Sequence, residues 1–213
     1  MNAQTQSLTV PGPAGPIEAL LDLPEADLFD APRGAAVIAH PHPQFGGAMT
    51  NKVVQTIARA YVQCGWRALR FNFRGVGASA GSYDEGRGEV QDLLAVAAQQ
   101  TQAEAPLAIA GFSFGAFVAA QAVAALHAER PIAHAVLVGT AASRFAVPAL
   151  PADLRAQTLV VHGELDDTVP LAAVMDWARP QALPVTVVPG GEHFFHGQLP
   201  LLKSLVMRHV RAG

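Results

Sequence analysis

Apolar residues in this chain fall into short runs, separated at regular intervals by Gly, Pro and small polar clusters. Two kinds of run alternate. Ala35 to Ala39 is continuous and of strand length, the pattern of a strand buried on both faces, and Ala68 to Phe73, Leu107 to Ala110, Ala135 to Val138, Leu159 to Val161 and Val185 to Val188 are read as further strands. Between them, Val53, Val54, Ile57, Ala58 and Tyr61 recur at helical spacing, with Thr50 or Asn51 available as a cap. Val90, Leu93, Leu94 and Ala97 do the same, as do the small-residue stretch Ala116 to Leu126 and the segments Leu171 to Trp177 and Leu199 to Val210. Near the start, Ser7 to Val10 and Ile17 to Leu23 predict a strand pair bridged by the turn-rich Pro11 to Pro16. Strands that alternate with helices need crossover connections. The expected fold class is therefore α/β, a mostly parallel central sheet with helices on both faces and its chemistry in loops beyond the C-terminal strand ends.

Composition narrows this picture. The chain has 213 residues, 51% of them hydrophobic and only 15% charged, which predicts one globular domain over residues 1–213. A net charge of −3 with no basic stripe argues against nucleic acid as a partner. Met1 to Ser7 is polar and lacks the charged start and apolar run of a signal peptide, and no apolar stretch is long enough to span a bilayer. The expectation is a soluble cytoplasmic protein with no membrane partner. The lone Cys64 ends an amphipathic helix pattern and reads as packing.

The candidate chemistry sits at strand ends. Directly after the strand at Leu107 to Ala110, and directly before a helix, comes Gly111-Phe112-Ser113-Phe114-Gly115, a G-x-S-x-G turn in the strand-turn-helix context that a nucleophile elbow requires. Side chains at the two glycines would collide with neighbouring strands, and the serine is expected in a strained backbone conformation with Oγ projecting into solvent at a helix N-terminus. A serine hydroxyl needs a base to take its proton and a carboxylate to hold that base. Later strands supply both, in the order Ser, Asp, His. One strand runs into His162-Gly163-Glu164-Leu165-Asp166-Asp167-Thr168-Val169-Pro170, the next into Pro189-Gly190-Gly191-Glu192-His193-Phe194-Phe195-His196. Either aspartate, Asp166 or Asp167, and either histidine, His193 or His196, could serve on this ground alone. His162 and Glu164 read as strand-end and loop structure.

With these segments in place, the chain from about residue 34 onward resembles the α/β-hydrolase superfamily, specifically its compact, lid-less bacterial serine hydrolases related to dienelactone hydrolase. The segment H-G-x-x-D-x-x-V-P of that group matches His162 to Pro170, and G-x-x-H-F matches Gly190 to Phe194. The resemblance implies an α/β-hydrolase fold and a catalytic set of Ser113, Asp166 and His193. It also implies an oxyanion hole built from the backbone N–H of Phe114 and a second N–H in His40-Pro41-His42-Pro43-Gln44-Phe45-Gly46-Gly47. Pro41 and Pro43 have no N–H, so the aligned donor is His42, with Gln44 as the fallback. This loop departs from the His-Gly usual in the group.

Two rival readings are weaker. His40 and His42 could begin a metal site, but no third ligand stands at a metal-binding spacing, and no metal is expected. Arg74-Gly75-Val76-Gly77-Ala78-Ser79-Ala80-Gly81 faintly resembles a dinucleotide loop, yet its third glycine is one residue late; it matches the R-G-x-G-x-S structural turn of the same hydrolases. No cofactor is expected. Phe45, Phe145 and Phe194 are candidates for an apolar acyl pocket, and the short stretch between Gly139 and Gln157 leaves no room for a cap domain. The expected function is an esterase-type hydrolase that cleaves small acyl esters or thioesters through an acyl-enzyme. An amidase or peptidase with the same residues, or a silent binding protein of the same fold, are the alternatives.

Overall fold

A computed structural model describes residues 5–212. Met1 to Gln4, which make up most of the polar start, and Gly213 lie outside the described residues. Eight strands form one sheet: β1 (Gln6–Gly12), β2 (Gly15–Asp22), β3 (Ala35–Ala39), β4 (Arg67–Phe71), β5 (Leu107–Phe112), β6 (Ile132–Val138), β7 (Thr158–Gly163) and β8 (Val185–Val188). Their order is β1-β2-β4-β3-β5-β6-β7-β8. The β1/β2 and β2/β4 pairs are antiparallel, and every pair from β4/β3 to β7/β8 is parallel. The helices are α1 (Lys52–Gln63), α2 (Arg87–Gln100), α3 (Phe114–Leu126), α4 (Leu171–Ala178) and α5 (Leu199–Ala212). The chain thus has the α/β-hydrolase fold.

Strand alternation divides the interior into two layers. In β3, Ala35, Val37 and Ala39 face the layer that also holds residues of α2, α3 and α4, while Ala36 and Ile38 face the layer of α1 and α5. In β5, Leu107 and Ile109 go one way, and Ala108, Ala110 and Phe112 the other. Apolar residues at every position of these central strands follow from burial on both faces. Asn51 caps α1 by accepting the N–H groups of Val53 and Val54.

Several boundaries differ from the sequence expectation, and three of them have a clear local cause. Pro11 to Pro16 is not a long turn: β1 and β2 run on through both prolines to the Gly12/Gly15 pair, leaving Pro13-Ala14 as the connection. Proline is tolerated there because β2 pairs with β4 only from Ala19 onward, so no ladder N–H is missed. The strand expected to reach Phe73 ends at Phe71, since Phe73 donates its N–H to His40 Nε2 at 3.0 Å. Conversely β5 takes in Gly111 and Phe112, which pair with β3 and β6.

Buried polar contacts fix the antiparallel edge against the rest. Arg70 of β4 meets Asp22 of β2 at 2.7 Å with both side chains buried, and its guanidinium also donates to the Met49 carbonyl at 3.1 Å. Leaving either charge of such a buried pair without its partner costs about 3–5 kcal/mol. The Arg74–Gly81 segment is a structural turn. Arg74 grips Asp92 of α2 through two side-chain bonds of 2.8 and 3.0 Å, the Glu18 carboxylate accepts from Asn72 and the Ala78 N–H, and α2 starts only at Arg87. No helix among the described residues is long and apolar enough to cross a membrane.

Candidate active site

The C-terminal ends of β3, β5, β7 and β8 bring the candidate residues together. Ser113 follows β5 with φ 57° and ψ −118°, a conformation that costs a non-glycine residue about 1–3 kcal/mol. The glycines around it make the turn possible: a Cβ on Gly111 would strike the Gly115 backbone, and one on Gly115 would strike the carbonyls of Ala39 and His40. The Ser113 N–H donates to Val138 O at 2.8 Å, which anchors the turn to β6. Ser113 is only 7% exposed, so its hydroxyl lies on a cavity floor rather than projecting into open solvent as expected.

His193 and Asp166 reach it from the two outer parallel strands. His193 Nε2 stands 3.0 Å from Ser113 Oγ, and His193 Nδ1 stands 2.7 Å from Asp166 Oδ2. An ionised carboxylate can only accept, so Nδ1 carries the proton and the Nε2 lone pair faces the serine. Asp166 Oδ1 accepts the N–H groups of Thr168 and Val169 at 3.0 and 2.7 Å. Burial alone would raise the Asp166 carboxyl; the hydrogen bonds from His193 and the Val169 N–H outweigh it and hold the group below the ordinary carboxylate range. Asp167 is exposed and, among the described residues, meets only its neighbour Thr168, and His196 is an exposed partner of Glu192.

Residues expected to be structural keep the two loops in register. Glu164 accepts the Gly190 N–H at 2.8 Å and Leu165 N donates to Gly191 O at 2.8 Å, so the loops that carry Asp166 and His193 are tied directly. His162 is fully buried, bonds the Val169 carbonyl through Nε2 at 2.9 Å, and stands 3.6 Å from Asp166 Oδ2. Burial pushes its imidazole below the usual histidine range, so it remains neutral beside the carboxylate.

The loop after β3 faces the serine from the other side. His42 caps a single turn, Pro43–Phe45, and its Nδ1 accepts the Gln44 N–H at 3.3 Å. That bond occupies the fallback donor. The N–H groups of His42 and Phe114 donate to no acceptor among the described residues, and both residues line the cavity above Ser113. His40 is buried, with Nδ1 bonded to Pro41 O at 2.6 Å and Nε2 accepting the Phe73 N–H. Burial lowers its pKa to about 4, so it acts as a neutral clamp and offers no free nitrogen to a metal.

The cavity measures about 330 Å³ and is walled by Phe45, Phe145 and Phe194 together with Phe114. Phe195 instead belongs wholly to the core beneath α5. Arg144, whose guanidinium lies 5.9 Å from the Phe45 centroid, also lines the cavity and escaped the sequence reading; Tyr83 does not line it but packs its ring 4.8 Å from that of His42. The chain between β6 and β7 holds one short 3-10 turn, Ala152–Gln157, and nothing that covers the cavity as a cap domain would.

Comparisons with known proteins agree with this architecture. Residues 30–151 match the family described as serine aminopeptidase, S33. An α/β serine hydrolase without lid from Xanthomonas campestris is 38% identical with a TM-score of 0.87, over 100% of this chain and 96% of that one. An α/β serine hydrolase homologue from Coxiella burnetii is 35% identical with a TM-score of 0.79, over 95% of this chain and 96% of that one. A curated relative, an uncharacterized protein of Rickettsia prowazekii, is 48% identical over 92 residues, which is 41% of this chain and 38% of that protein's length.

Proposed function

The chain belongs to the α/β-hydrolase superfamily, in the family described as serine aminopeptidase S33, and from that membership we propose that it is a carboxylesterase-type hydrolase acting on small acyl esters or thioesters. Ser113 Oγ attacks the acyl carbonyl while His193 Nε2 takes its proton. Asp166 steadies the imidazolium that results, and the N–H groups of His42 and Phe114 receive the oxyanion. Donors of that kind are worth about 2.7–4 kcal/mol each. His193 then returns the proton to the leaving alcohol or thiol, and water repeats the sequence to release the acid. No cofactor enters. The reading rests on one observation above all: an unbroken hydrogen-bonded line, Ser113 Oγ to His193 to Asp166, on the floor of an apolar cavity.

An aminopeptidase reading follows from the family description and uses the same three residues. Such an enzyme must also hold a free α-ammonium group beside the scissile bond. The cavity lining contains no carboxylate to do so, and its one cation, Arg144, would repel that group. The ester reading is favoured on this ground. In the decisive experiment the purified protein is treated with a fluorophosphonate probe and assayed on matched nitrophenyl butyrate and butyryl anilide. The expectation is labelling and ester turnover, both lost by several orders of magnitude in Ser113→Ala. Wild-type protein that takes no label would make it a silent binding protein, and a preference for the anilide would favour the amidase.

A further inference from the structure

Arg144 has no role in the chemistry just described. It lines the same cavity as Ser113 and His193, on the connection after β6. Among the described residues it makes no ion pair. Glu85, which shares the neighbouring groove with it, is engaged by Arg87 at 3.8 Å.

An exposed loop arginine ordinarily extends into water and needs no partner. This one is held over the cavity by the face of Phe45, 5.9 Å away, within the range of a cation–π contact. Phe45 is itself 73% exposed, so the pair forms a rim rather than part of the core. The charge is felt below the rim: after burial, Arg144 is the second influence holding the His42 imidazole below the ordinary range. The remaining lining combines phenylalanines with His42, Asn51, Thr168 and His193 and, among the described residues, holds no carboxylate to neutralise an incoming cation or to compete for the guanidinium. A fork of N–H donors facing an otherwise neutral cavity is matched chemically by a carboxylate.

We propose that Arg144 selects acyl groups with a carboxylate at their far end, so that the preferred substrates are half-esters or half-thioesters of short dicarboxylic acids. The inference rests on the esterase reading and deepens it. The scissile carbonyl sits at Ser113, the methylenes lie against Phe145 and Phe194, and the terminal carboxylate meets Arg144 at the mouth. A cavity of about 330 Å³ restricts this to chains of a few carbons.

Monoethyl glutarate and ethyl pentanoate differ in the terminal charge, and their hydrolysis is followed by proton NMR in wild type, Arg144→Gln and Arg144→Glu. The ratio of kcat/KM for the charged over the neutral ester should fall about fivefold in Arg144→Gln, the upper end for an exposed ion pair. Arg144→Glu should invert the preference, favouring an ethyl ester that ends in trimethylammonium over the glutarate. Added salt should shrink the wild-type ratio and leave that of Arg144→Gln in place. A ratio equal in all three proteins overturns the proposal. If ethyl pentanoate is still turned over and Ser113 still takes a fluorophosphonate, the esterase reading survives that failure. If wild type hydrolyses neither ester, both fall together.

Discussion

The two ends of the sheet carry depressions of opposite character. At the N-terminal strand ends, a groove of about 870 Å³ runs past Trp66, His127, Arg130 and His134. At the C-terminal ends the cavity is less than half that size, about 330 Å³. Yet the smaller one has a serine at φ 57°, a histidine with one nitrogen on that serine and the other on a buried carboxylate, and two backbone N–H groups left without acceptors among the described residues. The larger one has a buried histidine, His134, edge-on to Trp66 and His209 at 5.3 and 5.4 Å, with its Nδ1 unpartnered. On the proposed reading, volume therefore does not mark the reactive end. Backbone strain and convergent donors mark it, and parallel strands concentrate both beyond their C-termini.

The sharpest way to break this contrast is through the acid loop. Asp166→Asn should lower kcat by roughly 10³ to 10⁴, because an amide can hold His193 in the wrong tautomer. Asp167→Asn, whose carboxylate meets only Thr168 at 3.3 Å, should change it by no more than about twofold. Steady-state rates on a nitrophenyl ester decide between them; the reverse ranking would move the acid to Asp167 and undo the assignment of the small cavity.

A smaller effect sharpens the role of cavity size. Each buried methylene is worth about 0.8 kcal/mol, so acyl chains should gain in kcat/KM only while the phenylalanine walls cover them. The optimum should be reached between roughly two and six carbons, with no further gain by twelve. The connection from β6 to β7 carries no cap, so the rate should not jump at the critical micelle concentration. A series of nitrophenyl esters from acetate to palmitate tests both. An optimum at long chains, or interfacial activation, would mean that a deeper tunnel opens in solution.

Much of this was legible in the sequence, for reasons that also set its limits. Strands such as Ala35–Ala39 could be bounded to the residue because burial on both faces leaves an uninterrupted apolar run. Ser113 and the two loops that carry Asp166 and His193 could be picked out because a parallel sheet puts short, turn-rich segments at its C-terminal edge, while the single aspartate and histidine within those loops came from the family resemblance. The Asp166/Asp167 choice was not legible from spacing alone, since it depends on which carboxylate the Thr168 and Val169 N–H groups fold around. Pro11 and Pro16 read as a turn because edge position, which excuses a proline inside a strand, is a property of the finished sheet. Arg144 and Tyr83 left no local signal at all. Each lies in an irregular connection, and only loop packing brings Arg144 to the cavity and Tyr83 against His42.

The smallest expected effect tests the N-terminal end directly. Burial, followed by the neighbouring His209, lowers the His134 pKa to about 4, against 6.5 for a free imidazole. Between those values the unfolded chain binds a proton that the folded one does not, so folding stability must fall as pH falls from 6.5 towards 4. The slope from this one group is at most about 1.4 kcal/mol per pH unit, reduced by the water that the open groove admits. His134→Phe keeps a ring between Trp66 and His209 and removes both the titration and the unpartnered nitrogen. Urea midpoints measured from pH 7 to pH 4 should decline less steeply for this variant than for wild type. His40 titrates over the same window, so a residual slope should persist. Turnover of a short ester at pH 7.5 should be unchanged, because the groove lies at the opposite end of the sheet from Ser113. An unaltered slope would mean that His134 already exchanges its proton with water in the folded protein. A large loss of turnover with stability intact would give the larger groove a part in the reaction and dissolve the contrast between the two ends.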